Sequence, residues 1–284
     1  MQIGIGLPNT LDIRGPELLA WARRAEERGF SSLATIDRIV YPNYDSLTAL
    51  AAAGAVTSRI GLLTNILLAP VYPPVLLAKV SASVDAITGG RLTLGLGVGG
   101  RPDDYAALDR PFQRRGKLMD ETLDLLHRSW AGEPVTGDEF PVGPAPAAGN
   151  RVATLIGGTS DPTWERIAKY AEGWTAGGMP PDQMGPHIEN LRKAWQAAGR
   201  EDEPRIVALL YFGLGDDDVS RASLRKYYAF LGEYTDMVVE SAVRSPEAAK
   251  GAVEAFAAVG VTELIFNATI PSVEQVDRLA DAVH

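Results

Sequence analysis

Cysteine is absent from the 284 residues of this chain. Disulfides, thiolate zinc centres, cysteine nucleophiles and dithiol relays are excluded with it. Histidine is nearly as scarce: His127 and His187 fall in helical patterns, His284 ends the sequence, and no pair has ligand spacing. No metal site is therefore expected. Positive charge is in deficit, with 27 Lys and Arg against 36 Asp and Glu for a net charge of -9. Nucleic acid is not an expected partner, because phosphate binding needs a basic footprint. No apolar run is long enough to span a bilayer, so no membrane association is expected. The opening MQIGIGLPNT runs straight into a strand pattern without a basic or secretory leader, and a cytoplasmic location is the expectation.

What is present is an alternation. The stretch Ser58–Gly100 reads as an apolar run, an Ala-Pro break, an amphipathic helix, a Gly-Gly turn and a second apolar run. That is a strand–helix–strand unit with parallel strands. The same rhythm predicts strands at Ile3–Leu7, Ser32–Ile36, Ile60–Leu67, Leu92–Leu96, Ala153–Ile156, Gly173–Ala176, Arg205–Phe212 and Glu263–Phe266. Helical patterns lie between them at Pro16–Arg28, Pro74–Ile87, Phe112–Trp130, Pro162–Ala171, Met184–Ala198 and Pro246–Val259, and Val273–Val283 closes the chain. Prolines near first turns and glycines past last turns support several of these helices. The count fits an α/β fold, a (β/α)8 TIM barrel forming one domain over residues 1–284. Two insertions exceed the minimal barrel: a Gly/Pro/Ala-rich excursion at Gly132–Arg151, and Gly213–Ser245 with its aromatic helix Tyr227–Tyr234. Insertions after barrel strands often cover the mouth at the C-terminal ends of the strands.

Barrel enzymes draw their chemistry from that mouth, and here the inventory is sparse. Every Lys considered for Schiff-base chemistry, including Lys79, Lys117, Lys169 and Lys226, falls in a helical pattern rather than on a strand. The strand ends offer Asn9 and Thr10, Asp37-Arg38, Asn65, Gly99-Gly100 and Gly157-Gly158-Thr159. This set has hydrogen-bonding groups and open backbone but almost no acid, base or nucleophile, so the hard chemistry is assigned to a bound cofactor. Gly157-Gly158-Thr159-Ser160, between a strand and a helix, suits a phosphate. Its alternative is an ordinary turn with Ser160 or Asp161 as N-cap. Gly95–Gly100 is either a small-residue wall for something flat or a site of tight interior packing. Asp37-Arg38 reads as an ion pair at the mouth or a loop turn; beside a guanidinium, Asp37 is expected to stay ionised and accept hydrogen bonds. Tyr41, Tyr44, Tyr72, Trp174 and the aromatic helix are either packing or the lining of an apolar pocket.

The pieces TSRIGLLTNILLAPVYPPVLLAK, GGRLTLGLGVGG, DDYAALDRPFQRRGKLMDETLDLL and LIGGTSDPTWERIAKYAEGW, in this order, resemble the bacterial luciferase-like monooxygenases and their deazaflavin-using relatives. The resemblance runs from the first strand to the last helix. It implies an isoalloxazine ring at the mouth near Leu7, Asp37, Asn65, Ile66, Gly99 and Gly100, with Gly157, Gly158 and Thr159 holding the phosphate. It also implies a non-proline cis peptide at Asn65–Ile66. Two positions depart from the deazaflavin members: Asp37-Arg38 stands where many carry a histidine, and Gly100 where they carry a glutamate. A dehydrogenase using that pair is not implied, and neither is light emission.

The leading expectation is a flavin-dependent oxidoreductase, a monooxygenase using reduced FMN and oxygen on a small organic substrate, with Asn65 and Asp37 as donors or orienting groups. A separate flavin reductase as partner agrees with the lack of a nicotinamide-binding fingerprint. The first alternative keeps the fold and uses the deazaflavin coenzyme F-420 for hydride transfer; a further one is a non-catalytic flavin-binding protein. A phosphate-binding isomerase or lyase ranks last, because it needs general bases this mouth lacks. The resemblance also implies a homodimer, through the Ala-rich helix Ser46–Val56 and the helix after it.

Overall fold

Short β-branched and Leu-rich runs, each bounded by Gly, Pro or Asn, pair side by side because their amides find partners only in neighbouring strands. In the computed structural model, which describes residues 1–135, 137 and 140–284, they close into a single barrel with every neighbouring pair parallel. The order is β1 (Gln2–Gly6), α1 (Gly15–Glu27), β2 (Ser32–Thr35), α2 (Ser46–Ala55), β3 (Gly61–Leu68), α3 (Pro74–Ile87), β4 (Leu92–Gly97), α4 (Pro102–Ala106), α5 (Arg115–Trp130), β5 (Ala153–Gly157) and α6 (Asp161–Tyr170). It continues with β6 (Gly173–Thr175), α7 (Pro181–Ala197), β7 (Arg205–Phe212), α8 (Asp217–Tyr228), α9 (Thr235–Glu240), α10 (Pro246–Ala258), β8 (Glu263–Ala268) and α11 (Glu274–Val283). Strand order around the barrel follows the chain from β1 to β8, and β1 pairs back to β8. This is the (β/α)8 architecture expected of the sequence.

Local chemistry sets the helix starts. Asp45 caps α2 by accepting from the Thr48 N–H at 2.7 Å, Asp216 caps α8 through Val219, and Ser245 caps α10 through Ala248. Prolines occupy the first turn of α1, α3, α6 and α10, where no N–H is needed.

Beyond shifts of one residue at several strand ends and the short added helices α4 and α9, some elements differ from expectation. β8 runs on to Ala268, because the β7 ladder continues through Tyr211–Asn267 and Phe212–Ala268. α7 begins at Pro181 rather than Met184, since a proline suits a first turn. Phe112–Arg114 is a 3-10 turn ahead of α5. The aromatic run beyond Tyr228 is not one continuous helix: Ala229–Tyr234 is a 3-10 segment broken at Gly232, whose φ of 57° lies in the left-handed region. Within the Gly132–Arg151 excursion, Thr136, Asp138 and Glu139 lie outside the described residues, and the rest contains no helix or strand. Among the described residues no helix is long and apolar enough to cross a membrane.

The main core lies between barrel and helices, around Trp21, Leu50, Leu62, Leu94, Trp174 and Phe266. A smaller cluster of Ala34, Leu63, Leu155, Val207, Leu209 and Ile265 fills the middle of the barrel. Below it, at the N-terminal ends of the strands, buried Glu263 accepts from Ser31 and Ser32 and pairs with Arg205 at 3.2 Å, which makes a polar floor. A closed floor and a packed middle leave only the other end open to a ligand.

Candidate active site

Side chains alternate along a strand, so the residues two places beyond the central cluster form the inner layer of the mouth: Asn65 after Leu63, Gly157 after Leu155, Tyr211 after Leu209 and Asn267 after Ile265. The Thr175 hydroxyl donates to Asn65 Oδ1 at 2.6 Å, joining β6 to β3 across the two strands between them. That crossing turns the Asn65 amide nitrogen free of the bond. Asn65 Nδ2 and Asn267 Nδ2 are both buried with no hydrogen-bond partner in the protein. Burying an amide donor without an acceptor is costly, so the pair marks a place built for a ligand with acceptor atoms.

The end of β3 is irregular. The Asn65–Ile66 peptide is cis, as the resemblance implied, and the register with β4 shifts between Thr64 and Leu67. Ile66 lies over two strands that carry no side chain beneath it: a Cβ on Gly97 would stand 2.7 Å from Ile66 Cδ1, and one on Gly157 3.5 Å from its Cγ2. Gly95 and Gly99 are likewise filled from β3, by the Thr64 carbonyl and the Leu68 side chain. Of the two readings of Gly95–Gly100, tight packing therefore accounts for the first three glycines, while Gly100 is open.

Asp37 braces this bulge. Its backbone N–H donates to the Ile66 carbonyl at 3.3 Å, and its carboxylate accepts from the Leu68 N–H at 3.0 Å and the Tyr72 hydroxyl at 3.1 Å. Burial pushes the Asp37 carboxyl up to about 6, against the opposing pull of those two donors. Of the two readings of Asp37-Arg38, an ion pair or a loop turn, the ion pair does not form. Arg38 turns instead to buried Asp104, Nε to Oδ2 at 2.7 Å, and to Asp103 at 3.3 Å. The reason lies in the Asp104 surroundings: its other oxygen takes the N–H groups of Ile39 and Val40, so one carboxylate holds the whole turn after β2. Asp37, with no cation beside it, is a buried carboxyl rather than a firmly ionised one.

Leu7 is buried against the core, its N–H bonded to the Ala34 carbonyl. Gly157, Gly158 and Thr159 follow β5 into α6. Gly158 has φ 117°, and its carbonyl accepts from Trp174 Nε1 at 2.9 Å. Ser160 occupies the cap position of α6 but bonds the Thr163 hydroxyl rather than a backbone N–H. Gly158, Thr159 and Ser160 are exposed at a helix N-terminus, the geometry that favours an anion. The structure thus brings Asp37, Asn65, Ile66 and Gly157 together, and leaves Leu7 as a packed neighbour. Asn267, Thr175 and Tyr211 join the site only in the folded barrel and are not among the residues the sequence points to. The alternation Leu209-Tyr211 and Ile265-Asn267 carried the signal, but β8 was expected to stop one residue short of Asn267.

The insert after β7 reaches across the mouth. The Arg101 guanidinium lies over the Phe230 ring at 3.5 Å and the Tyr227 ring at 5.0 Å, and Tyr227 meets Tyr41 edge-on. Among the described residues, the three that follow each strand include no His, Lys or Glu, and their only ionisable side chains are Asp37 and Arg38.

A family model described as luciferase-like monooxygenase matches residues 1–280. The chain belongs to this family. An uncharacterised protein of Mycobacterium tuberculosis is 30% identical over 227 residues, covering 70% of this chain and 78% of that one. The pyrimidine monooxygenase RutA of Escherichia coli is 28% identical over 66% of this chain and 54% of its own length. Among solved structures, an F420-dependent secondary alcohol dehydrogenase in complex with an F420-acetone adduct superposes with a TM-score of 0.81 at 17% identity, over 99% of this chain and 98% of that one. At that identity the likeness speaks for the fold. By family the chain is thus placed among the luciferase-like monooxygenases and oxidoreductases.

Proposed function

We propose that this luciferase-like protein is a monooxygenase that uses reduced FMN and molecular oxygen on a small organic substrate. The observation that carries the reading is the pairing of two partnerless buried amides, Asn65 and Asn267, with a mouth whose strand ends hold no proton-transfer group beyond Asp37 and the neutral phenol of Tyr211. Flavin rings present carbonyl and ring-nitrogen acceptors that suit those amides, and the Gly157-Gly158-Thr159 turn suits the phosphate, so the residues present fit the cofactor. When bound, reduced FMN supplies the electrons that activate oxygen. The chain supplies the rest. Asn65, fixed by Thr175, and Asn267 donate N–H bonds that orient the ring. Asp37 and Tyr72 hold the β3 bulge in place, so Ile66 presents an apolar face. The insert after β7, pinned by Arg101, keeps water away.

Hydride transfer with the deazaflavin F-420 is the second reading, favoured by the overall likeness to the F420-dependent dehydrogenase. Interconverting an alcohol and a carbonyl moves a proton as well as a hydride; Asp37, tied to Leu68 and Tyr72, is poorly placed to exchange one, which leaves only the weakly acidic Tyr211–Tyr228 phenols for that role. Titrating the protein with FMN and with F-420 while following their fluorescence separates the two. Tighter binding of FMN, with substrate-dependent oxygen uptake when a flavin reductase supplies reduced FMN, supports the first. Binding of F-420 alone overturns it.

A homodimer belongs to the same proposal. Val75, Leu76, Val80 and Ile87 of α3 are exposed, with Ile87 at 74%, and apolar side chains clustered on one helix favour a partner surface. Light scattering is expected to give twice the chain mass, and a monomer for Leu76→Glu; a monomeric wild type refutes the dimer.

A further inference from the structure

A cavity of about 390 Å³ opens beside the mouth, between the β6–α7 loop, β7 and the helices α9 and α10. Its size lies in the range of small-molecule sites. Its inner wall is continuous with the barrel interior: Leu209 belongs to the central cluster, and Tyr211 packs against that cluster in the same layer as Asn65 and Asn267. Apolar side chains dominate elsewhere, with Met179 on the loop, Met237 and Val238 on α9 and Phe256 on α10.

Two features of the lining are chemically selective. Among the described residues, none of those lining the cavity carries a charge. A carboxylate or ammonium entering it would lose water without gaining a counter-ion, which is strongly unfavourable. The second is a pair of phenols: the hydroxyls of Tyr211 and Tyr228 are 2.8 Å apart. One donates to the other, and the acceptor keeps its own O–H to donate outward, polarised by the bond it receives. Burial raises both phenols above their ordinary range, so both stay neutral donors at working pH.

We propose that the substrate taken beside the flavin is a neutral, predominantly apolar molecule bearing one carbonyl or hydroxyl oxygen, its hydrocarbon part in this cavity and its oxygen on the Tyr211–Tyr228 pair. The inference rests on the flavin-dependent reading above and names its substrate class. Tyr228 is a specificity-determining residue in this account, and α10 forms the far wall.

Calorimetric titration of the flavin-free protein with 2-octanone and with octanoate tests it, with FMN titrated in parallel. The ketone is expected to bind at least about tenfold more tightly than the carboxylate of similar length. Tyr228→Phe is expected to weaken ketone binding by about three- to tenfold. Ala252→Trp, which fills the cavity from α10, is expected to abolish ketone binding, and FMN binding by both variants shows that they are folded. Equal binding of octanoate and 2-octanone overturns the inference, as does ketone binding unchanged by Ala252→Trp. FMN binding with no ketone binding overturns this inference alone. Ketone binding with no affinity for FMN or F-420 overturns the functional reading, and with it the role as a substrate site.

Discussion

Replacing Asp37 by Asn tests whether the brace beneath the β3 bulge is a buried carboxyl. In the native state burial holds this carboxyl at about 6, against an ordinary 3.8, with Asp45 and Asp104 adding repulsion. Between those two values the unfolded chain has released the proton while the native protein keeps it. The native state then binds more protons, so stability falls as pH rises through this window. The interval corresponds to about 3 kcal/mol lost between pH 4 and pH 6. An asparagine keeps the acceptor for the Leu68 N–H, offers its amide to the Tyr72 hydroxyl, and does not ionise. Urea unfolding of both proteins across this range gives the stability of wild type relative to Asp37→Asn, and all other titrating groups cancel. That difference is expected to move against the wild type by about 3 kcal/mol from pH 4 to pH 7. A difference that stays flat within about 0.5 kcal/mol refutes a raised Asp37 and returns it to the ionised acceptor expected from its place beside Arg38.

Arg38→Met leaves Asp104 buried without its cation and is expected to cost about 3–5 kcal/mol in urea unfolding, whereas Asp103→Ala, at the exposed arm of the same cluster, costs less than about 1 kcal/mol. Glu26 accepts from the Ser58, Arg59 and Ile60 N–H groups; burial pushes its carboxyl up, but these bonds outweigh it and hold it down to about 2. Its stabilisation is therefore complete above the unfolded value of 4.5 and lost as pH falls toward 2, so Glu26→Gln is expected to flatten the acid limb of a circular-dichroism pH titration. Gly158→Val forces a branched side chain to φ 117°; it is expected to cost about 1–3 kcal/mol in thermal or urea unfolding and to weaken FMN binding by at least about tenfold, read from flavin fluorescence.

The barrel was legible in the sequence because parallel strands buried on both faces are near-continuous apolar runs, and because Pro and Gly punctuate the helices between them. Arg205–Phe212 and Pro74–Ile87 fall at their expected limits. The position of Asn65 at a strand end was legible for the same reason. What was not legible depends on the third dimension. Arg38 sits next to Asp37 in the chain but pairs with Asp104, because the turn after β2 needs a carboxylate to hold its N–H groups. Asn267 and Thr175 acquire meaning only when the closed barrel brings β8 and β6 into the same layer as β3. The sequence leaves Gly95–Gly100 open between a surface for a flat ligand and tight packing, and Gly95, Gly97 and Gly99 receive a carbonyl or side chains from the β3 bulge.

The proposed flavin would occupy a mouth whose own strand ends offer little acid–base chemistry. Isothermal titration of the protein with oxidised FMN, reduced FMN and F-420 tests this most directly. A single saturable site for FMN, weakened when Asn65 is replaced by Leu, is the predicted result; no heat with any of the three contradicts it.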